Sequence, residues 1–417
     1  RKFFSLLSLL VTITLILLSG STAVLAQLDD ESEETQSVEG TTIIRLPMVL
    51  RNYGDLPPII YETTEVLPDD TLQDLVSISD SGVFTFSETS PALNEVDVGD
   101  VIVGDVSVAA PYGFLRRVTT VDTQTDLVVL ETTSASLDEV IQQGTLSFSK
   151  KLTPEDVTSI TTLSGVSLMI TSGTTIEDSF FFEIKDVVLL DKDKDYSTTY
   201  DQLKVNGSFE LAPDVKTFEV NWDGLPPDVE FVFNVEETTE LEFQIEVDLV
   251  GAELQWEIAR VRLGAITIFV GVVPVVFLIE MPIYLCGDGN VSAGISFGAT
   301  QQANVTAGLR FVDGVLLPVG SITNSFSFNF PTLTAGVNFH GYVDPPLSLL
   351  LYGVAGPFAA IQPFLKLEAD ILADPWWKLY GGLDATVGIE GEILGHSLGD
   401  FTERVIGYQI LLAQADT

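Results

Sequence analysis

The chain of 417 residues contains one cysteine, Cys286, and two histidines, His340 and His396. A single cysteine cannot form an intramolecular disulfide bond, so the fold must be stabilised by burial of apolar side chains rather than by crosslinks. Two histidines that lie far apart in sequence argue against a Cys/His zinc site. They also leave few candidates for a nucleophile that depends on a histidine base.

Basic residues are also scarce, because 19 Lys and Arg stand against 60 Asp and Glu, for a formal net charge of −41. This excess repels phosphate backbones and anionic lipid headgroups, so it argues against nucleic-acid binding and membrane-surface roles. It is compatible with metal cations, with cationic partners, or simply with a well-solvated acidic surface. No H-E-x-x-H or P-loop pattern occurs, and we expect no catalysis.

The first residues have the pattern of a secretory leader. Arg1 and Lys2 precede an apolar run, which ends in small residues at Ala26. A basic start, an apolar stretch and a small-residue cleavage site predict a signal peptide over residues 1–26, and an uncleaved anchor helix is the alternative. We therefore expect a protein that is secreted, extracellular or at the cell surface.

Three segments are predicted after the leader: an acidic linker over residues 27–60, a small β-module over residues 61–155, and a large antiparallel β-domain over residues 156–417. In the module, residues 83–86 alternate between apolar and polar, which is typical of a half-buried strand. Residues 136–144 predict a short helix, with Ser136 as N-cap, Glu139 three residues later and Gly144 as the stop.

The large domain shows strict alternation over residues 240–249. Odd-numbered positions are apolar, and the even-numbered ones are Glu, Gln or Asp. Period two over this length predicts a strand with one buried face and one acidic, hydrated face. Turn residues then recur at short intervals, so we predict an all-β protein with a small β-barrel-like module followed by a large antiparallel β-sandwich or barrel. An outer-membrane barrel would alternate too, but carboxylates opposite apolar positions favour the water-exposed sandwich.

An uncharged run over residues 263–279, LGAITIFVGVVPVVFLI, is short for a membrane-spanning helix. It is rich in β-branched residues, and Gly271 and Pro274 lie in its middle, where a turn would place them. We therefore predict two buried strands around a turn, covered on both faces, and no stable membrane span in the mature chain.

Several short motifs resemble those of a family of uncharacterised secreted bacterial proteins. They are LPMVLR after the leader, GDVIVG, PYGFLRRVT and TTSASLDEVIQQG in the module, and GVVPVVF, VTAGLRF, LLLYGVAGP and PWWKLYGGLDA in the large domain. The resemblance covers about 90 residues of the module and much of the large domain. It implies secretion and an all-β fold, and it brings no activity to transfer.

An acidic segment is the best candidate for a cation site. Asp191, Asp193 and Asp195 alternate as the first three calcium ligands of an EF-hand do, and Asp201 follows. The match then ends, because Tyr196 stands where that motif has glycine, and Gln202 where it has the bidentate glutamate. Calcium is the only cofactor that we consider, and a solvated loop is the alternative.

Three aromatic residues, Trp376, Trp377 and Tyr380, form a candidate ligand-stacking site, because flat rings stack on sugar faces. Adjacent strand residues point to opposite sides, so only one Trp can face the core. Ordinary packing is the alternative.

We expect a secreted acidic structural or interaction protein whose partner is a cell-surface glycan or another surface protein. A glycan- or calcium-dependent binding module, or a carrier of a hydrophobic ligand in a β-cavity, is the second expectation.

Overall fold

The structure is a computed structural model that consists almost entirely of β-strands. It describes residues 38–42, 57–124, 127–169, 176, 178–195, 197–198, 200–222, 227–291, 294–312, 315–332, 336–390 and 401–415. The predicted signal peptide and the LPMVLR motif lie outside the described residues.

The strands, in chain order, begin with those of the first half of the chain: β1 (Val38–Thr42), β2 (Ile59–Ile60), β3 (Thr64–Val66), β4 (Leu75–Ile78), β5 (Val83–Phe86), β6 (Val101–Gly104), β7 (Phe114–Gln124), β8 (Leu127–Ser134), β9 (Ile141–Lys151), β10 (Val157–Thr162), β11 (Val166–Met169) and β12 (Phe180–Asp191). The remaining strands are β13 (Gln202–Trp222), β14 (Asp228–Ile245), β15 (Leu249–Leu263), β16 (Ile266–Val270), β17 (Val273–Val291), β18 (Ile295–Val312), β19 (Val315–Thr332), β20 (Val337–Asp344), β21 (Leu347–Leu351), β22 (Gly356–Ala369), β23 (Trp377–Glu390) and β24 (Phe401–Gln414). Among the described residues, the helical elements are α1 (Asp69–Gln73), α2 (Pro91–Glu95) and single 3-10 turns at Leu137–Glu139 and Pro154–Asp156.

The small module is a six-stranded sheet in the order β3-β6-β7-β8-β5-β4, antiparallel except for the parallel pair β3–β6. One face carries a core of its own that includes Phe84, Phe86 and Leu130. Val101 and Val103 of β6 belong instead to the core of the large domain, so the module packs against that domain. The barrel-like closure that we predicted for the module is not confirmed by these pairings.

In the part of the large domain that the structure describes, the strands form two nine-stranded sheets. The first has the order β1-β19-β18-β14-β13-β12-β11, and it includes β9 against β13 and β2 against β9. The second has the order β10-β15-β17-β20-β22-β23-β24, with β16 on β17 and β21 between β17 and β22. The prediction of an all-β fold with large antiparallel sheets is therefore confirmed.

A continuous apolar core joins the two sheets, and aromatic side chains meet across it. The ring of Phe339 on β20 lies 5.6 Å from that of Phe243 on β14 and 6.1 Å from that of Phe297 on β18, measured between centroids. Phe277 on β17 similarly meets Phe218 on β13 at 5.0 Å. Edge-to-face pairs of this kind contribute about 0.5–1.5 kcal/mol each beyond the area that they bury. The arrangement is that of a sandwich.

The strand with one buried and one acidic face that we predict over residues 240–249 is confirmed. Leu241, Phe243, Ile245, Val247 and Leu249 are buried, and the acidic residues between them are exposed. The negative charge of this segment therefore lies on the outer face of the first sheet.

The apolar run over residues 263–279 forms two antiparallel strands, β16 and β17, with a turn at Gly271, as predicted. Residues 273–279 of β17 are buried on both faces. The expectation of cover on both sides is wrong for β16, because Phe269 is 60% exposed and neighbouring side chains are half-buried. No helix in the described part of the chain is long and apolar enough to cross a membrane.

Other local predictions were wrong. The helix expected over residues 136–144 is a single 3-10 turn at Leu137–Glu139, and Ile141 begins β9, where it is buried and pairs with Ile60. Burial of this β-branched side chain in the sheet outweighs the capping pattern. Within the predicted linker, Val38–Thr42 pairs with β19. Strand β9, which we assigned to the small module, pairs with β13 of the large domain.

Candidate functional site

A row of polar side chains crosses the outer face of the second sheet. Asn290 of β17 pairs with Asn338 of β20, which pairs with Glu368 of β22, which pairs with Lys378 of β23. Directly paired residues of antiparallel strands point to the same face, and neighbouring strands are about 4.8 Å apart. Four strands therefore present two amides, a carboxylate and an ammonium group in one line.

The connection between β22 and β23 forms a wall beside this row and brings Trp376 to it. The N–H of Asp370 donates to the carbonyl of Trp376 at 2.7 Å, and the Asp370 carboxylate accepts from the N–H of Leu372 at 2.9 Å. These bonds close the loop so that Trp376, 37% exposed, faces a concave site of about 390 Å³. We call the site formed by Asn290, Asn338, Glu368, Trp376 and Lys378 the Trp376 pocket.

The chemistry of the Trp376 pocket suits a hydroxyl-rich ligand. An indole ring offers a flat apolar face that can contact the C–H groups of a sugar ring. Asn side chains can donate and accept, and a carboxylate accepts, so each can satisfy sugar hydroxyls. Glu368 also accepts from Nζ of Lys366 at 2.6 Å, which offsets part of its negative charge.

Of the three predicted stacking residues, only Trp376 lines this pocket. Trp377 is half-buried and packs against the core between the sheets, as strand alternation requires. Tyr380 pairs with Lys366 one step further along β23 and is not a lining residue of the pocket.

Sequence reasoning missed the amide side of the pocket. Residues 287–290, GDGN, have the composition of a turn, whereas they continue β17 as far as Val291. Gly289 has a φ of +127°, and a Cβ at this position would lie 1.9 Å from the carbonyl oxygen of Asn338. The glycine therefore permits a close approach of two strands rather than a reversal of the chain.

A second candidate site is the loop that joins β12 to β13. Carboxylate oxygens of Asp191, Asp193 and Asp201 all lie within 4.8 Å of one another. Asp195 is not part of this cluster, because its carboxylate accepts from the N–H and the hydroxyl of Ser197 at 3.1 and 2.6 Å. We call Asp191, Asp193 and Asp201 the Asp cluster.

Hydrogen bonds shape the Asp cluster. The N–H of Asp195 donates to Asp193 at 2.8 Å, and this bond, together with hydroxyl donors nearby, lowers the pKa of Asp193. Gln202 is buried and its Nε2 donates to Asp191 at 2.8 Å. Within the described residues, Asp201 Oδ1 and Gln202 Oε1 are shielded from solvent and accept no hydrogen bond. Oxygen ligands of this kind are those that Ca²⁺ prefers.

Residues 294–298, GISFG, match the G-x-S-x-G pattern of serine hydrolases. In hydrolases this pattern places the serine at a sharp turn from a strand to a helix. Here Ser296 lies near the start of the regular strand β18, and its hydroxyl donates to Glu242 on β14 at 3.2 Å. The local geometry gives no support to a nucleophilic role.

No family model matches the chain, and no curated protein or solved structure matches it. The resemblance to secreted bacterial proteins therefore stays a prediction.

Proposed function

We propose that the protein acts at the cell surface or in the extracellular space as an acidic interaction protein without catalysis, and that it binds a neutral glycan in the Trp376 pocket. The observation that carries the proposal is the exposed indole of Trp376 in a concave site beside a row of polar side chains from four strands. Concave sites with a few convergent polar groups are where proteins bind small ligands. Secretion is supported by the leader-like pattern of residues 1–26.

The charge of the protein indicates which glycans fit. A formal net charge of −41 disfavours sulfated and uronic-acid chains, which are anionic themselves. The pocket contributes both carboxylate and ammonium groups, so it carries no strong preference for a charged ligand. Neutral hexose-based glycans are therefore the ligand class that the site suits best.

A glycan array with the intact protein tests this proposal. We expect binding to a set of neutral glycans that is lost in Trp376→Ala and kept in Tyr380→Ala, which removes an aromatic ring four residues further along the chain, on β23 and outside the pocket. Absence of binding by the wild-type protein, or equal binding by the Trp376→Ala variant, would contradict it. Binding to a surface protein instead of a glycan would also count against it.

Calcium binding in the Asp cluster is a second proposal, supported by three converging carboxylates. Within the described residues, one oxygen of Asp201 and the amide oxygen of the adjacent Gln202 are shielded from solvent and have no hydrogen-bond partner. The ion would tie together the ends of β12 and β13 and stabilise the fold by mass action. Calorimetric titration with Ca²⁺ should give heat for the wild type and for Asp195→Asn, but none for Asp193→Asn. Asp195 is the matched control because it lies in the same loop and outside the cluster. Absence of heat and of any change in melting temperature for the wild type would refute calcium binding.

The space between the two sheets at Phe209, Phe233, Leu347 and Ile361 is too small to hold a hydrophobic cargo. The space that these residues line has a volume of about 20 Å³. This is room for about one water molecule. This small volume therefore favours binding of a ligand at the surface over carriage of a lipid between the sheets.

A further inference from the structure

A second cleft, about 640 Å³ in volume, lies between the small module and the second sheet of the large domain. Its walls are the turn from β4 to β5, the start of β7, the segment from β8 to the 3-10 turn, and the turn from β21 to β22. Ligand sites in proteins occur preferentially in clefts of a few hundred cubic ångströms at the junction of two packed units. We call this site the Arg116 cleft, after the cationic residue that lines it.

Arg116 is held in a fixed position in this cleft. Its Nε donates to the hydroxyl of Thr132 at 3.0 Å, and its Nη1 donates to the hydroxyl of Ser134 at 3.4 Å. The Thr132 hydroxyl in turn donates to the carbonyl of Gly82 at 2.7 Å, which ties the arginine to the turn between β4 and β5. A guanidinium group has five N–H donors. Three donors of Arg116 therefore have no acceptor within the described residues.

Arg116 also has no carboxylate partner within the described part of the chain, although the protein contains 60 acidic residues and only 19 basic ones. The adjacent Arg117 shows the contrast, because it forms an ion pair with Glu139 at 2.5 Å and donates to the carbonyl of Gly99 at 2.7 Å. Burial lowers the pKa of Arg116. A half-buried cation without a counter-charge is unfavourable, and an anion that fills the cleft would relieve this.

Backbone strain marks the opposite wall of the cleft. Tyr352 has a φ of +48°, a region that bulky residues rarely adopt. It is held there by its hydroxyl, which donates to the carbonyl of Pro274 at 2.6 Å, and by its N–H, which donates to the carbonyl of Val276 at 2.8 Å. Such strain is found preferentially at binding sites, where the surrounding structure maintains it.

We propose that the Arg116 cleft binds a small organic anion, a carboxylate carried on an apolar body. The carboxylate would accept from the free N–H groups of Arg116, a geometry in which two parallel charge-assisted hydrogen bonds can form. The apolar part would lie against Phe84, Phe114 and Tyr352, which also line the cleft. Fields from the distant acidic surface are screened beyond about 8 Å at physiological ionic strength. Two carboxylates, those of Asp80 and Glu139, also line the cleft, and Glu139 is already paired with Arg117. Asp80 is therefore the group within the cleft that opposes binding of an anion.

The test uses the intact protein with 3-phenylpropionate and its neutral analogue 3-phenylpropanol as probes. Calorimetry should show saturable binding of the acid in the micromolar to millimolar range and binding of the alcohol weaker by about tenfold or more. Arg116→Gln should weaken binding of the acid by about tenfold or more, because it removes the charged fork. Asp80→Asn should strengthen it, because Asp80 is an exposed carboxylate that lines the same cleft.

Arg262→Gln is the matched control, because Arg262 pairs with Glu280 at 2.7 Å and does not line the cleft. The Arg262→Gln variant should bind 3-phenylpropionate as the wild type does.

Labelling of the wild-type protein with phenylglyoxal, which modifies arginine side chains, gives a measurement that needs no variant. The acid should protect Arg116, and not Arg262, from modification. Failure of the wild type to bind the acid, equal binding by Arg116→Gln, or labelling of Arg116 that the acid does not slow would each overturn the proposal.

Discussion

Glu237 should make the stability of this protein fall as the pH rises, because its carboxyl lies in the core. It is 3% exposed on the inner face of β14, between Leu211 of β13 and Ala303 of β18. Thr239 donates to Oε2 at 2.5 Å, and within the described residues Oε1 has no hydrogen-bond partner. A carboxylate in this position would lose its hydration without compensation.

Burial raises the pKa of Glu237 from 4.5 to about 8, and the Thr239 hydrogen bond opposes this rise. Below pH 4.5 the carboxyl is protonated in the folded and unfolded states alike, and the full stability is present. Between pH 4.5 and about pH 8 the unfolded state releases the proton that the folded state keeps. The free energy of unfolding therefore falls by about 1.4 kcal/mol per pH unit. The loss is about 3 kcal/mol at pH 7 and levels off near pH 8 at about 5 kcal/mol.

The assay is reversible urea denaturation of the wild type, Glu237→Gln and Glu240→Gln from pH 5 to pH 9. The Glu237→Gln variant should gain stability over the wild type as the pH rises, by about 1.4 kcal/mol per unit until the difference becomes constant near pH 8. Glu240 is exposed on the other face of the same strand, so its variant should run parallel to the wild type. Parallel curves for Glu237→Gln and the wild type between pH 5 and pH 8 would refute the reasoning.

Four substitutions, one of them a surface control, test local interactions by the same urea assay at one pH. Phe339→Ala removes a ring that links the two sheets and should cost about 3–5 kcal/mol, whereas Val250→Ala, at an 89% exposed residue, should change stability by less than about 0.5 kcal/mol. Ser90→Ala removes the hydroxyl that caps α2 and should cost about 1 kcal/mol. Gly207→Ala should destabilise the protein strongly, because its Cβ would lie 1.9 Å from the carbonyl oxygen of Glu240. A loss from Phe339→Ala no larger than that from Val250→Ala would contradict the shared core.

Local periodicity predicted those parts of the fold that depend on one strand at a time. The alternation from Leu241 to Leu249 identified the buried face, and the β-branched run around Gly271 identified a pair of strands. These signals are reliable because each side chain reports directly on the environment of its own face. The same parity, continued backwards along β14, places Glu237 on the inner face, and this signal in the sequence could have revealed the buried carboxyl.

The candidate sites could be predicted only where their residues are close in sequence. Asp191, Asp193 and Asp201 belong to one loop, so their convergence could be anticipated, although the loop turns the carboxylate of Asp195 towards Ser197. The Trp376 pocket joins Asn290, Asn338 and Glu368 from strands that are distant along the chain. Pairing of this kind depends on the register of the whole sheet, which a single sequence does not reveal.

A crystal structure of the protein soaked with the best neutral glycan from the array tests the central claim most directly. The account predicts a sugar ring stacked on the indole of Trp376, with its hydroxyls within hydrogen-bond distance of Asn290, Asn338 or Glu368. A glycan bound at any other surface, or a Trp376 pocket that stays empty at a saturating glycan concentration, would contradict it.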